Sequence, residues 1–304
     1  MNRREFIGSA AALAAVPSIT GCATASAGKG GKILFGACRP LEDAKLMASV
    51  GYDFWEGGVA LALDPDKDAE WWKRQRDLIL AQPIPLRSCN AFLPGRFRLT
   101  GPKADFAPAL EYAERALRRA DEAGVKTVVF GSGGARNVPC VFGPEQKERP
   151  DVEKGYVQYT DFCRALCKRV ADIRTTVVIE PLRPNESNII NYVWQGVQIC
   201  RDVDSPRLKQ LADIFHMMMG REGAESIVGA GDLLRHCHIA SYGDRKFPGA
   251  NPATVDRFRP YFDALRTIGY AGGVSCECGW GDPNQGEKEL AGKLETALKT
   301  LRSL

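Results

Sequence analysis

The chain has 304 residues, of which 44% are hydrophobic and 26% charged, and its formal net charge is +4. This composition is typical of an ordinary globular protein. The small charge, without a basic cluster interleaved with aromatic residues, argues against a nucleic-acid partner. Once a targeting segment is set aside, about 275 residues remain, enough for one α/β barrel or two small domains.

The first residues have the pattern of a targeting signal. MNRREFIGSAAALAAVPSITGC has paired arginines followed by an apolar run that is shorter than the roughly 20 residues a membrane span needs. RREFIG resembles a twin-arginine export signal, whose cargo crosses the membrane already folded. SITGC resembles a lipobox, which would make Cys22 the lipidated first residue; cleavage after ASA at 25–27 is the alternative. We therefore predict an export signal at 1–28, a barrel at 29–304, and a periplasmic or membrane-anchored location.

Ten cysteines are many for an exported protein. Their spacing does not repeat as a zinc knuckle or ribbon would. Folding in the reducing cytosol before export would keep them reduced. We expect buried free thiols that pack as small hydrophobic side chains.

Short β-rich runs alternate with longer amphipathic runs along the body of the chain. The predicted strands are 32–37, 52–57, 85–93, 126–132, 175–182, 208–216, 236–241 and 272–279. Helical patterns occupy 41–51, 105–124, 156–173, 188–203 and 287–304.

Strands that are apolar on both faces, each followed by a helix, indicate a parallel sheet covered on both sides. Eight such units predict a single-domain α/β fold, the (β/α)₈ TIM barrel. A doubly wound sheet is the alternative, but a glycine fingerprint is missing after the first strand. The long segment 131–155 after the fourth strand is predicted to be a loop over the top face, where it would shape a substrate pocket.

Polar residues recur at the ends of the last four predicted strands. They are Glu180, Asp213, His238 and Glu277. In a barrel, side chains at the carboxyl ends of the strands share one pocket, and charged groups in apolar strands cost several kcal/mol unless they are paired or metal-bound. Carboxylates with one imidazole suit Mn²⁺, Mg²⁺, Co²⁺ or Zn²⁺, so we predict one divalent metal ion here. A surface ion pair for each glutamate and a helix cap for Asp213 remain the structural alternatives.

All three histidines lie in one window of the sequence. His216 follows Asp213 by three residues, in a run predicted to be strand. His236 and His238 alternate with Cys237 and therefore face the same side of a strand. We expect one of these two to be a metal ligand and the other a hydrogen-bonded neighbour.

The runs VVIEPLRPNESN, DIFHMM, HCHIAS and CECGW resemble the strand-end motifs of the xylose isomerase-like superfamily of sugar isomerases and epimerases. Within it, the resemblance is to ketose 3-epimerases, hydroxypyruvate isomerases and inosose dehydratase-type enzymes. The motifs cover the second half of the body in order and spacing, while the first half fits as a generic barrel. As a set they are specific for the superfamily but do not name a substrate.

The resemblance implies roles for individual residues. They are metal binding for Glu180, Asp213, His238 and Glu277, catalysis for Glu180 and Glu277, and substrate contact for Glu186, His216 and Arg245. The loop that carries Arg245 is one residue longer than in the family. Glu56, at the end of the second strand, is predicted as an extra pocket residue without a family motif.

These residues favour a metal-dependent isomerase or epimerase that acts on a small carbohydrate through an enediolate. One carboxylate removes the proton beside the carbonyl and the other returns it. A lyase acting on a 3-keto sugar, keto-glycoside or keto-inositol is the alternative, and a non-enzymatic sugar-binding lipoprotein is the second. We expect membrane contact only through the lipid anchor, and the resemblance alone implies a homo-oligomer.

Overall fold

The computed structural model describes residues 31–139 and 151–304, which form one closed barrel of eight parallel strands. The strands are β1 (Leu34–Cys38), β2 (Phe54–Gly58), β3 (Leu86–Asn90), β4 (Thr127–Phe130), β5 (Thr176–Ile179), β6 (Leu208–Asp213), β7 (Leu234–Ile239) and β8 (Gly273–Cys276). Each strand pairs with its neighbours in the sequence, and β1 pairs with β8 to close the sheet. The predicted single-domain (β/α)₈ TIM barrel is confirmed.

Helices connect the strands and cover the outside of the barrel. They are α1 (Ala44–Val50), α2 (Val59–Ala62), α3 (Ala69–Leu80), α4 (Phe106–Glu122), α5 (Gly133–Arg136), α6 (Val152–Arg169), α7 (Val193–Val203), α8 (Ile214–Met219), α9 (Glu225–Ala230), α10 (Arg259–Thr267) and α11 (Glu287–Arg302). Short 3₁₀ segments occupy Leu41–Asp43, Gly231–Leu233 and Pro252–Phe258. Within the described ranges, we find no helix long and apolar enough to cross a bilayer.

The alternation of side chains along the strands separates an apolar outer layer from a polar interior. Outward-facing residues such as Cys237 and Val274 join the large core between sheet and helices. Inside the barrel, Val129, Val178 and Leu211 form a small separate apolar cluster. The interior also holds buried polar side chains, namely Glu56, Ser88, Thr127, His236, His238 and Ser275.

The predicted sixth strand, 208–216, is too long. The strand ends at Asp213 and the chain turns directly into α8. Asp213 Oδ1 accepts the backbone N–H groups of Phe215 and His216 at 2.7 and 3.2 Å, which caps the helix. The prediction was wrong because a short apolar run does not by its periodicity distinguish a buried strand from a buried helix. The helix-cap alternative for Asp213 is confirmed.

Other boundaries also differ from the predictions, most of them by a few residues. The helix predicted over 188–203 begins only at Val193, and the predicted loop at 131–155 contains α5 and the first residues of α6. The predicted export signal at 1–28, with Cys22, lies outside the described residues. The eight cysteines in the described ranges are free thiols and most are buried, as expected.

Candidate active site and metal centre

The carboxyl ends of four consecutive strands bring the predicted metal ligands to one point. Glu180 directly follows β5, Asp213 ends β6, His238 lies in β7 and Glu277 directly follows β8. Each residue has the parity that turns its side chain into the barrel. One donor atom from each lies within 4.8 Å of the other three. The four predicted residues thus converge at one point of the barrel.

The donor set has the chemistry of a divalent-cation site. Asp213 Oδ2 is buried and has no hydrogen-bond partner among the described residues, although Oδ1 of the same carboxylate is occupied by the helix cap. Burial, and then the charge of Glu277, raises the pKa of Glu180. A buried carboxylate oxygen without a partner is costly unless a cation balances it. Three carboxylates and one imidazole therefore fit a hard or borderline divalent ion.

A close approach of backbone makes room for Glu180. A Cβ atom placed on Gly131, at the end of β4, would lie 2.2 Å from Glu180 Oε2. Such a distance is a severe overlap, so a side chain at Gly131 would displace the carboxylate from the cluster. The absence of a side chain at Gly131, the residue after β4, therefore leaves space for the carboxylate of Glu180, the residue after β5.

His238 lies between Glu180 and Glu277 of the donor cluster on one side and Glu56 on the other. Its Nδ1 lies 2.9 Å from Glu180 Oε1, on the side of the metal cluster, and 3.6 Å from Glu277 Oε2. Its Nε2 lies 2.9 Å from Glu56 Oε1 on the opposite side. Burial acts to lower the pKa of His238, but the charges of Glu56 and Glu277 outweigh it and raise that pKa well above its usual value. Coordination of a metal through Nδ1 requires the proton there to leave.

Glu56 lies on the opposite side of His238 from the donor cluster and is completely buried. Its second oxygen, Oε2, lies 2.8 Å from His236 Nε2, so one carboxylate binds both histidines of β7. Both oxygens of Glu56, which was predicted as an extra pocket residue, are thus engaged by histidines, and neither is exposed. A carboxylate that accepts the second N–H of a metal-binding histidine fixes the ring and its tautomer. The expectation of one ligand histidine and one hydrogen-bonded neighbour matches these positions.

Arg245 connects the catalytic candidate Glu277 to Glu186. Its Nη2 lies 2.6 Å from Glu277 Oε2 and its Nη1 lies 3.0 Å from Glu186 Oε1. The backbone of Arg245 has a φ of 51°, in the left-handed region that non-glycine residues rarely occupy. Its carbonyl accepts the N–H of Gly279 at 2.8 Å, which holds this turn against the segment after β8. Both predicted substrate-contact residues therefore lie beside the donor cluster.

His216 lies on the first turn of α8 and is 2% exposed. Its Nε2 is 3.4 Å from Asp213 Oδ2 and 3.8 Å from Glu186 Oε2. Neither ring nitrogen makes a hydrogen bond within the part of the chain that the structure describes. A buried imidazole without partners is rare in a finished protein interior.

Sequence reasoning missed two residues that shape this site. Asn90 ends β3 and its Nδ2 donates to Glu277 Oε1 at 3.0 Å. Arg183 donates from Nε to Glu186 Oε1 at 2.7 Å, and its guanidinium lies 5.1 Å from the centre of the Phe215 ring. The strand-end rule that found Glu180 also applies to Asn90, whereas Arg183 lies in an irregular loop and carries no comparable signal.

Comparisons with known proteins agree with this architecture. A family model described as xylose isomerase-like TIM barrel matches residues 44–304. The chain is 25% identical over 210 residues to a probable ketose 3-epimerase of Synechocystis sp., an alignment that covers 68% of each protein. It is 31% identical over 113 residues to the L-ribulose 3-epimerase of Methylomonas sp., covering 37% of this chain and 38% of that one.

A solved structure shows the same fold. The crystal structure of 3-keto-D-glucoside 4-epimerase from E. coli superposes with a TM-score of 0.71 at 22% sequence identity. The match covers 90% of this chain and 100% of the E. coli chain.

The geometry around His238 predicts the effect of substituting Glu56. Glu56→Ala removes both bonds that orient the β7 histidines, so Mn²⁺ affinity measured by calorimetry should fall by roughly 10- to 100-fold. Glu70→Ala, an exposed glutamate on α3, is the matched control and should bind Mn²⁺ as the unchanged protein does. Equal affinity in Glu56→Ala would contradict the orienting role.

Metal removal should lower stability. Without a cation the buried carboxylates of the cluster repel one another, and free metal at 100 times its Kd stabilises a binding fold by about 2.7 kcal/mol. Denaturant unfolding of the EDTA-treated protein, compared with the same sample reloaded with Mn²⁺, measures this difference. Superimposable transitions would show that the cluster does not bind the ion.

Proposed function

Because the chain belongs to the xylose isomerase-like TIM-barrel family, we propose that it is a divalent-metal-dependent sugar epimerase or isomerase. The observation that carries the proposal is the convergence of Glu180, Asp213, His238 and Glu277, with donor atoms within 4.8 Å of one another. The names of the curated relatives, ketose 3-epimerase and L-ribulose 3-epimerase, support the sugar class.

Two glutamates of the cluster are proposed to move the proton. A bound divalent ion supplies Lewis-acid stabilisation of the negative charge that develops on the oxygens of an enediolate. Glu180 and Glu277 come from strands separated by β6 and β7, so their carboxylates reach a ligand from different sides. One removes the proton beside the carbonyl and the other returns it. Return to the same carbon on the opposite face inverts it. Return to the adjacent carbon, with a proton moving between the two oxygens, gives an isomer.

The remaining polar residues are proposed to hold the sugar. Arg245 fixes Glu277 and Glu186 relative to each other through its two nitrogens. His216 offers two buried nitrogens without protein partners, beside Asp213 and Glu186. Sugar hydroxyls both donate and accept hydrogen bonds, so they can satisfy these groups. Asn90 keeps the second oxygen of Glu277 in place.

Solvent-deuterium exchange followed by NMR tests the proposal. EDTA-treated protein reloaded with Mn²⁺ is incubated with ketoses, 3-keto-glucosides and keto-inositols. We expect metal-dependent deuterium uptake at the carbon beside the carbonyl of at least one of them. Glu277→Gln should keep the fold and reduce exchange by roughly 10²- to 10⁴-fold, the usual contribution of a positioned acid or base. Glu287→Gln, on the exposed first turn of α11, is the matched control.

The products separate the rival functions. A product with an inverted carbon indicates an epimerase, and a product whose carbonyl has moved indicates an isomerase. A product with a new carbon–carbon double bond indicates the lyase alternative instead. Normal exchange in Glu277→Gln would exclude the two-carboxylate mechanism. Bound Mn²⁺ without exchange on any sugar would favour the non-enzymatic binding protein.

We also propose that the protein is exported, on the strength of the signal pattern at 1–28 alone. If the lipobox is used, metabolic labelling with a radioactive fatty acid should mark the protein, and Cys22→Ser should abolish the label. A label that persists in Cys22→Ser, or is absent from the unchanged protein, would exclude lipidation at Cys22.

A further inference from the structure

A cavity lies at the opposite end of the barrel from the donor cluster. Its volume is about 430 Å³, within the range of roughly 300–1,000 Å³ typical of small-molecule sites. Residues at the amino ends of the strands line it, among them Thr127 and Thr176, which begin β4 and β5. We call it the amino-end cavity.

Four cationic side chains surround the amino-end cavity. Arg87 is the second residue of β3, Lys126 directly precedes β4, Arg174 lies two residues before β5, and Arg235 is the second residue of β7. Among the described residues that line the cavity, Asp232 is the single carboxylate. The lining thus carries a formal net charge of +3, whereas the whole chain carries a net charge of only +4.

These cations are poorly neutralised by the protein. Within 31–139 and 151–304, Arg87, Lys126 and Arg235 form no ion pair, and Arg235 donates only to the carbonyl of Leu234. Arg174 Nε lies 3.5 Å from Asp121 Oδ1, and 84% of the Arg174 side chain is exposed. Arg87 is the most enclosed of the four, being half-buried where the others are exposed.

The chemistry of the lining selects an anion. A guanidinium presents parallel N–H groups that match two oxygens of a phosphate or sulphate group, and a neighbouring ammonium adds a point charge. Like charges around one concave surface repel each other, and a dianion relieves this repulsion. The volume is larger than a free tetrahedral anion needs, so room remains for an organic group attached to it.

From this arrangement we infer that the amino-end cavity is a binding site for a phosphate or sulphate group, free or as the ester of a small molecule. Arg87 and Arg235 are its main ligands. The site is separate from the donor cluster and does not depend on the function proposed for that cluster.

Calorimetric titration of the Mn²⁺-loaded protein tests the inference. Sulphate is the first probe because, unlike phosphate, it does not precipitate Mn²⁺, and ionic strength is held constant with chloride. We expect saturable binding that weakens roughly tenfold in Arg235→Gln and further in Arg87→Met/Arg235→Gln, since each arginine contributes charge-assisted hydrogen bonds. Arg74→Gln removes an exposed arginine on α3, away from the cavity, and should leave the affinity unchanged.

Two further measurements complete the test. The first distinguishes the loss of an anion-binding side chain from a loss of fold, and the second distinguishes a free anion from an ester. Circular dichroism and Mn²⁺ affinity should be unchanged in Arg235→Gln, whose exposed side chain is not part of the core. Tighter binding of 4-nitrophenyl sulphate than of methyl sulphate, which carries the same charge, assigns an ester of a larger organic group, and equal or weaker binding assigns the free anion. Failure to saturate, or equal affinity in the double variant, would overturn the inference. So would adsorption to vesicles with anionic headgroups without saturable sulphate binding.

Discussion

The concentration of negative charge at the carboxyl ends of β5 to β8 is the constraint on which the site depends. Three carboxylates meet inside a sheet whose surroundings are largely apolar, and their donor atoms lie within 4.8 Å of one another and of His238. Such a group is stable only if cations approach it from several sides. Two groups of the protein approach these carboxylates: the guanidinium of Arg245 lies beside Glu277, and the imidazole of His238 lies beside Glu180. The unpartnered oxygen of Asp213 marks the position that these two groups leave unbalanced.

The polar interior of the barrel follows from the same constraint. A barrel core is usually filled with layers of branched aliphatic side chains. Here the described interior holds Phe54, whose ring lies 6.2 Å from that of His236, and the small apolar cluster of Val129, Val178 and Leu211. Beside β7, Glu56 and the two histidines occupy the interior. A buried carboxylate with both oxygens bonded is stable there because the histidines share its charge, which keeps the pKa of Glu56 below its usual range despite burial. The donor cluster is therefore supported from below by hydrogen bonds between Glu56 and the two histidines of β7.

Much of this arrangement could be predicted from the sequence because it repeats with the fold. Glu180, Asp213, His238 and Glu277 each end a strand, and the regular length of a βα unit brings such residues to one rim. Glu56 and Asn90 also lie near strand ends, but the residues that they bind could not be predicted in this way. Their partners lie 180 and 187 residues away along the chain, and which inward-facing residues meet across the barrel depends on packing. His216 was assigned to the wrong element because its apolar neighbours suit a strand or a helix equally.

The carboxylate of Asp213 belongs both to the cap of α8 and to the donor cluster. One oxygen caps α8, the helix that carries His216 and Phe215, and the other faces the donor cluster. If a metal binds Asp213 and a sugar binds His216 as proposed, an ion that holds Asp213 in place also steadies the first turn of α8 and the imidazole on it. The two ligands would then be coupled, and the coupling would be reciprocal: the factor by which the metal strengthens sugar binding is the factor by which the sugar strengthens metal binding.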